Sequence, residues 1–131
     1  PHFGAEVAMF RSRRAFERLV EEALRELPEA FRPYLGELPV VVEDWASEEL
    51  LDEMGLPEDE DLYGVYLGTP LPERNPAYPE LPGRIVVFRG PLEEDFPEPE
   101  ELRRQVTVTV LHELAHHFGI PDARLEELGW G

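Results

Sequence analysis

His112-Glu113-Leu114-Ala115-His116-His117-Phe118-Gly119-Ile120-Pro121-Asp122 reads H-E-x-x-H-x-x-G-x-x-D, and the rest of the chain is organised around it. A helix turns about 100° per residue, so His112 and His116 share one face and can reach one ion. Glu113 sits beside that face, placed to act as a general base rather than a ligand. Gly119 permits the left-handed turn that ends a helix, and Pro121 disfavours helix at Ile120. The chain is therefore predicted to leave the helix axis after Gly119 and fold back, bringing Asp122 towards the histidines. Two nitrogens, one oxygen and an open position for water form the donor set of a catalytic zinc site. Asp122 also precedes a terminal helical segment, 123–128, where aspartate often serves as an N-cap. Both roles are open at this point.

The motif resembles that of zincin and metzincin metallopeptidases, with Asp122 where metzincins carry a third histidine. Three further stretches extend the likeness: GVYLGTPL at 64–71, RIVVFRGPL at 84–92 and RLEELG at 124–129. Together they resemble a small bacterial family of zincin-like metallopeptidases with a minimal zincin fold, over residues 11–131. The resemblance implies one Zn2+ per chain, held by His112, His116 and Asp122, with Glu113 as the catalytic base. It also implies that an edge strand near the active-site helix pairs with extended substrate. That makes Tyr66 a candidate for binding substrate or the oxyanion. His117 points away from His116 and is expected to support the ligands from behind or to lie at the surface, rather than to serve as a fourth ligand. One departure stands out. The Met-turn of metzincins follows the third ligand, whereas Met9 and Met54 both lie upstream of it, so that floor is missing or built otherwise.

A chain of 131 residues is long enough for one core. Residues 1–10 are read as an N-terminal extension and 11–131 as a single domain. The net charge of −17 repels phosphate backbones, so nucleic acid is not an expected partner; the charge reads most simply as a solvated acidic coat, and it could also attract basic peptide or protein substrates. All basic residues are arginine, and there is no cysteine, so neither disulfides nor a thiolate metal site can form. The lack of disulfides fits a cytoplasmic location. No run approaches the roughly 20 apolar residues of a membrane span, and no signal peptide is evident.

Along the chain, Ser12 is a predicted N-cap. Phe16, Leu19, Val20, Ala23, Leu24 and Leu27 recur at helical spacing up to Pro28. Val40 to Glu43 reads as a short strand, Ser47 to Met54 as a capped helix, and Glu58 to Asp61 as an acidic turn. Leu62 to Leu67 reads as a strand in which Gly64 marks a bulge or a close approach. Thr69 to Gly83 is a proline-studded loop, Arg84 to Phe88 a strand ended by Gly90-Pro91, and Leu92 to Pro97 an acidic connector. The segment 106–110, VTVTV, alternates like a strand. It is nevertheless assigned to a helix from about Glu100 to Phe118, because no breaker separates it from the metal motif and packing can override small propensity differences. Trp130 is expected to pack the C-terminal turn onto the core.

The expected architecture is α+β: a small mixed sheet of about three strands packed on long helices, including the one that bears H-E-x-x-H. The leading function is zinc-dependent peptide-bond hydrolysis. Two alternatives compete. One is a metal-dependent hydrolase of a non-peptide substrate; bacterial endoribonucleases with H-x-x-x-H-x-x-x-x-x-H share the ligand spacing, but Asp122 replaces their last histidine. The other is a zinc-binding interaction protein with little turnover, against which Glu113 argues, since a structural zinc has no use for a base there.

Overall fold

The structure is a computed structural model that describes residues 12–29, 31, 33, 38–57, 62–68 and 83–127, without the side chain of Asp122. Among these residues the elements run α1 (Arg13–Arg25), β1 (Val40–Glu43), α2 (Glu48–Glu53), β2 (Gly64–Leu67), β3 (Arg84–Phe88), α3 (Arg89–Asp95), α4 (Pro99–Phe118) and α5 (Asp122–Glu127). The architecture is α+β with a three-stranded mixed sheet. The Glu58–Asp61 turn, nearly all of the Thr69–Gly83 loop, Leu128, Trp130 and residues 1–10 lie outside the described residues.

β3 is the central strand, in the order β1-β3-β2, parallel to β1 and antiparallel to β2. Its apolar run Ile85-Val86-Val87-Phe88 is buried throughout, as expected of a strand covered on both faces. Val42, Ile85 and Val87 face a core shared with Phe16, Val20 and Ala23 of α1 and Val106, Val110 and Leu114 of α4. Val65, Val86 and Phe88 face the other way, towards Ala46, Leu50, Leu62 and Leu67. Helices thus cover both sides of the sheet: α1 and α4 on one, α2 on the other.

The caps explain where the helices begin. Ser12 accepts from the Ala15 N–H at 3.1 Å, and Ser47 accepts from Leu50 N–H at 3.1 Å, each satisfying a donor that the first turn leaves unpaired. α4 starts with Pro99 at its first position and has Glu100 and Glu101 in its first turn, favourable to the helix dipole.

The strand-like segment Val106–Val110 is helical. Val106, Thr107 and Val110 are buried. Burying each valine stabilises by roughly 1.5–3 kcal/mol, against helix-propensity penalties of at most ~0.7 kcal/mol per residue. Packing wins. Thr107 Oγ1 lies 3.0 Å from Arg103 O, one turn back, and 3.1 Å from Ala23 O on α1, so the hydroxyl ties the two long helices together. Arg103 reinforces the seam with Glu26 at 3.0 Å and Glu22 at 3.7 Å.

Leu92–Pro97 differs from expectation. Most of the predicted connector is helical, because α3 begins directly after β3. Gly90 and Pro91 do end the strand. They also fit the first helical turn, where proline's missing N–H removes no intrahelical bond. Fully buried Leu92 anchors α3 in the core. Its start is fixed from afar: Arg89 Nε donates to Asp44 Oδ1 at 2.7 Å, and Gly90 N–H donates to Asp44 O at 2.8 Å.

Candidate active site

The site forms where the last turns of α4 meet the outer edge of β2. The approach is close because residue 64 is glycine. A Cβ there would lie 2.6 Å from Thr109 Cγ2 and 3.1 Å from Val86 O. Gly64 therefore lets the sheet edge lie directly on the helix, which is the close approach expected at this position.

This contact fixes Glu113. The main-chain N–H of Tyr66 donates to Glu113 Oε1 at 2.7 Å. Glu113 is largely covered, with its side chain 13% exposed. Burial pushes its carboxyl above the ordinary carboxylate range, while neighbouring His116, the Tyr66 N–H and His112 pull the other way. The same Oε1 lies 3.3 Å from His116 Nδ1. In the tautomer that protonates Nδ1, His116 donates to Glu113 and carries its lone pair on Nε2. His112 is partly buried and His116 is exposed, one helical turn apart on the same face of α4.

His117 lies behind them, 8% exposed. Its Nδ1 is 2.8 Å from Tyr66 Oη, and the two rings meet edge to face with centroids 5.1 Å apart. Tyr66 thus contacts the helix twice, through its N–H to Glu113 and its hydroxyl to His117. The phenol is seated between Gly68 and Gly83. A Cβ at either position would come within 2.9 Å of Tyr66 Oη.

α4 ends in a Schellman turn. Gly119 is left-handed at φ 74°, its N–H reaches His116 O at 3.1 Å, and Ile120 N–H reaches Ala115 O at 2.8 Å. The chain turns back at this point, and α5 begins at Asp122. Pro121 O accepts from Arg124 N–H and Leu125 N–H, which puts Pro121 at the N-cap and Asp122 at the first helical position.

The donor chemistry suits zinc. Two imidazoles stand on one face, and the tautomer that pairs His116 with Glu113 leaves Nε2 for a metal. No group of three or more potential ligands converges among the described residues; the Asp122 side chain is not among them.

The β2–Glu113 bond and the helical α3 were not evident in the residues' identities. Gly64 was the one signal of the former, since an apolar strand seldom carries a glycine without a close neighbour.

Comparison with known proteins gives a family and a structural neighbour. Residues 35–130 match the family model described as zincin-like metallopeptidase. A solved structure, a conserved hypothetical protein from Thermo thermophilus, is 31% identical with a TM-score of 0.52, over 88% of this chain and 95% of that one. No curated protein matches the chain significantly. Among the described residues no helix is long and apolar enough to cross a membrane. With the family model spanning well over half of its residues, the chain belongs to the zincin-like metallopeptidase family.

Proposed function

We propose that this protein is a zinc-dependent metallopeptidase, with one ion per chain held by His112, His116 and Asp122 and with Glu113 as general base. The observation that carries the proposal is the position of Glu113, gripped by the β2 edge at 2.7 Å and next to His116 at 3.3 Å. Burial opposes the charge of this carboxylate, and a perturbed acid beside two histidines is the arrangement a general base needs. Bound at these residues, zinc supplies a Lewis acid for a carbonyl oxygen and makes a nearby water more acidic.

The chain's own groups do the rest. Glu113 accepts the water's proton at its carboxylate and hands it to the leaving amine; its raised affinity for protons matches that task. The Tyr66 N–H keeps the carboxylate oriented, and the Tyr66 hydroxyl steadies His117 behind the ligand pair. The substrate is a peptide or protein, and the net charge of −17 favours a basic one.

The test pairs metal content with hydrolysis of a mixed peptide library. The expected result is one zinc per chain in wild type, loss of zinc in His112→Ala, and retained zinc with hydrolysis reduced about 10²–10⁴-fold in Glu113→Gln. Equal zinc in wild type and His112→Ala, or undiminished hydrolysis in Glu113→Gln, would refute the assignment.

A further inference from the structure

Gly68 and Gly83 stand opposite one another just beyond the last pair of the β2–β3 ladder. Leu67 pairs with Arg84, so the next facing positions are 68 and 83. Side chains alternate along a strand, which puts both positions on the sheet face of Tyr66 and its partner Ile85. Where two side chains would stand, there is a phenol. A Cβ on Gly83 would lie 2.9 Å from Tyr66 Oη and 3.1 Å from Cε1. One on Gly68 would lie 2.9 Å from Oη, 3.2 Å from Cζ and 2.8 Å from Gly83 Cα. Gly68 also has φ 145°, which residues with a side chain rarely adopt.

An aromatic ring over glycines is by itself a stabilising device of sheets. Two further contacts give this one a reach into the site. On its other side the ring meets buried His117 edge to face, with centroids 5.1 Å apart, and Oη lies 2.8 Å from His117 Nδ1. The N–H of the same tyrosine donates to Glu113 at 2.7 Å. A push on the phenol from the glycine side is therefore resisted by His117 and passes to the Tyr66 backbone.

We propose that Gly68 and Gly83 are positioning residues for Glu113: the seat they leave for the Tyr66 phenol sets where the Tyr66 N–H stands, and so where the carboxylate is held. Their effect on rate rests on the reading of Glu113 as the base of hydrolysis; their effect on the Tyr66–Glu113 bond does not. Gly83 is the position to test, because alanine at Gly68 would strain the backbone as well. Ordinary contact begins at 3.4 Å, so alanine at 83 displaces the phenol by about half an ångström. The other close neighbour of that Cβ, Leu38 Cδ1 at 2.9 Å, is the end of a flexible side chain and can yield. Misplacing a catalytic group by ~1 Å costs on the order of 100-fold, so about tenfold is expected here.

The experiment pairs peptide hydrolysis by the zinc-loaded full chain with the NMR shift of the residue-66 amide proton, which a short hydrogen bond to a carboxylate moves downfield. Gly83→Ala is expected to keep its zinc, to lower kcat about tenfold with KM within about twofold, and to move the amide upfield. Gly83→Ala/Tyr66→Phe lacks the hydroxyl that alanine would strike. It is expected to recover most of the kcat and the amide shift of Tyr66→Phe alone, which a general loss of stability would not do. Tyr66→Ala empties the seat from the ring side and carries the test if Gly83→Ala does not fold; its amide is expected upfield and its kcat about tenfold below that of Tyr66→Phe. An unmoved amide with undiminished kcat in Gly83→Ala, a loss that Tyr66→Phe does not relieve, or a Tyr66→Ala variant that matches Tyr66→Phe in both readouts would overturn the proposal. The amide needs no turnover. If it moves as expected in a protein that hydrolyses no peptide, the seat stands and the proposed function falls; if it stays put in an active enzyme, the reverse holds.

Discussion

The main-chain N–H of Tyr66 and the carboxylate of Glu113, 47 positions apart in sequence, meet at 2.7 Å. An edge strand donor that would otherwise face solvent instead holds a largely buried carboxylate at the end of α4. The bond only partly offsets the cost of burial, because the Glu113 carboxyl still binds its proton more tightly than an ordinary one.

That balance gives a stability prediction for the metal-free protein. In the folded state the Glu113 pKa is raised, so folding favours the protonated form. Stability is then highest below the unfolded pKa, falls as pH rises towards the folded pKa, and stays lowered at neutral pH. Glu113→Gln keeps the oxygen that accepts from Tyr66 but carries no charge. The variant is expected to melt above wild type near neutral pH, with the gap closing in acid. Thermal melts in chelator across pH check this. A variant less stable than wild type at every pH would contradict it.

Gly64→Ala should disturb the same junction from the strand side. The new Cβ would stand 2.6 Å from Thr109 Cγ2, on a stiff β-branched side chain, and 3.1 Å from Val86 O. Overpacking of this kind costs roughly 1–3 kcal/mol. Pushing β2 off α4 also lengthens the Tyr66–Glu113 bond, so hydrolysis should fall along with stability. Thr109→Ser removes Cγ2 and should recover part of both in the double variant. A double-mutant cycle with no coupling would show that the contact does not set the spacing.

Why some of this was legible and some not follows from how the signals are carried. The helical spacing of Phe16, Leu19, Val20 and Ala23 and the apolar run Ile85–Phe88 are local patterns that burial enforces, and the structure keeps them. The Gly119 turn was equally local. α3 carries no such period: seven residues with Gly90 and Pro91 near its start look like a break. Its stability comes from buried Leu92 and from Asp44, 45 positions before Arg89. The Tyr66–Glu113 bond uses a backbone N–H, which any residue but proline supplies, so side-chain identity cannot announce it. His117 is buried against Tyr66, and nothing local named Tyr66 as its partner.

Tyr66→Phe separates the two contacts of that residue. It retains the N–H that holds Glu113 and removes the hydroxyl 2.8 Å from His117 Nδ1. A largely buried ring nitrogen deprived of this partner should cost about 1–3 kcal/mol. Zinc content should be unchanged, and any fall in hydrolysis should be smaller than that of Glu113→Gln. Metal analysis, melts and peptide turnover on the one variant decide it. A rate loss as large as that of Glu113→Gln with normal stability would assign the hydroxyl to the reaction itself.

Asp122 is the remaining proposed ligand to test, and the backbone narrows its roles. An aspartate just after a helix-ending turn is often an N-cap, but here Pro121 O accepts the first hydrogen bonds of α5 and Asp122 is the first helical residue. At that position a carboxylate still gains from the helix dipole, by about 0.3–1 kcal/mol, but it is not the residue that closes the cap. A ligand role makes a different demand. Asn keeps the shape but offers only a weakly donating amide oxygen, whereas His restores a donor that zinc accepts well. Asp122→Asn is therefore expected to weaken zinc binding about 10- to 100-fold or more, at a stability loss in chelator of no more than about 1 kcal/mol. Asp122→His is expected to hold zinc more tightly than Asp122→Asn. Competition with a chromogenic chelator gives the affinities, and melts in chelator give the stabilities. If Asp122→Asn held zinc as tightly as wild type, Asp122 would be no ligand, and the third donor would be sought outside the described side chains, among which no three candidates converge.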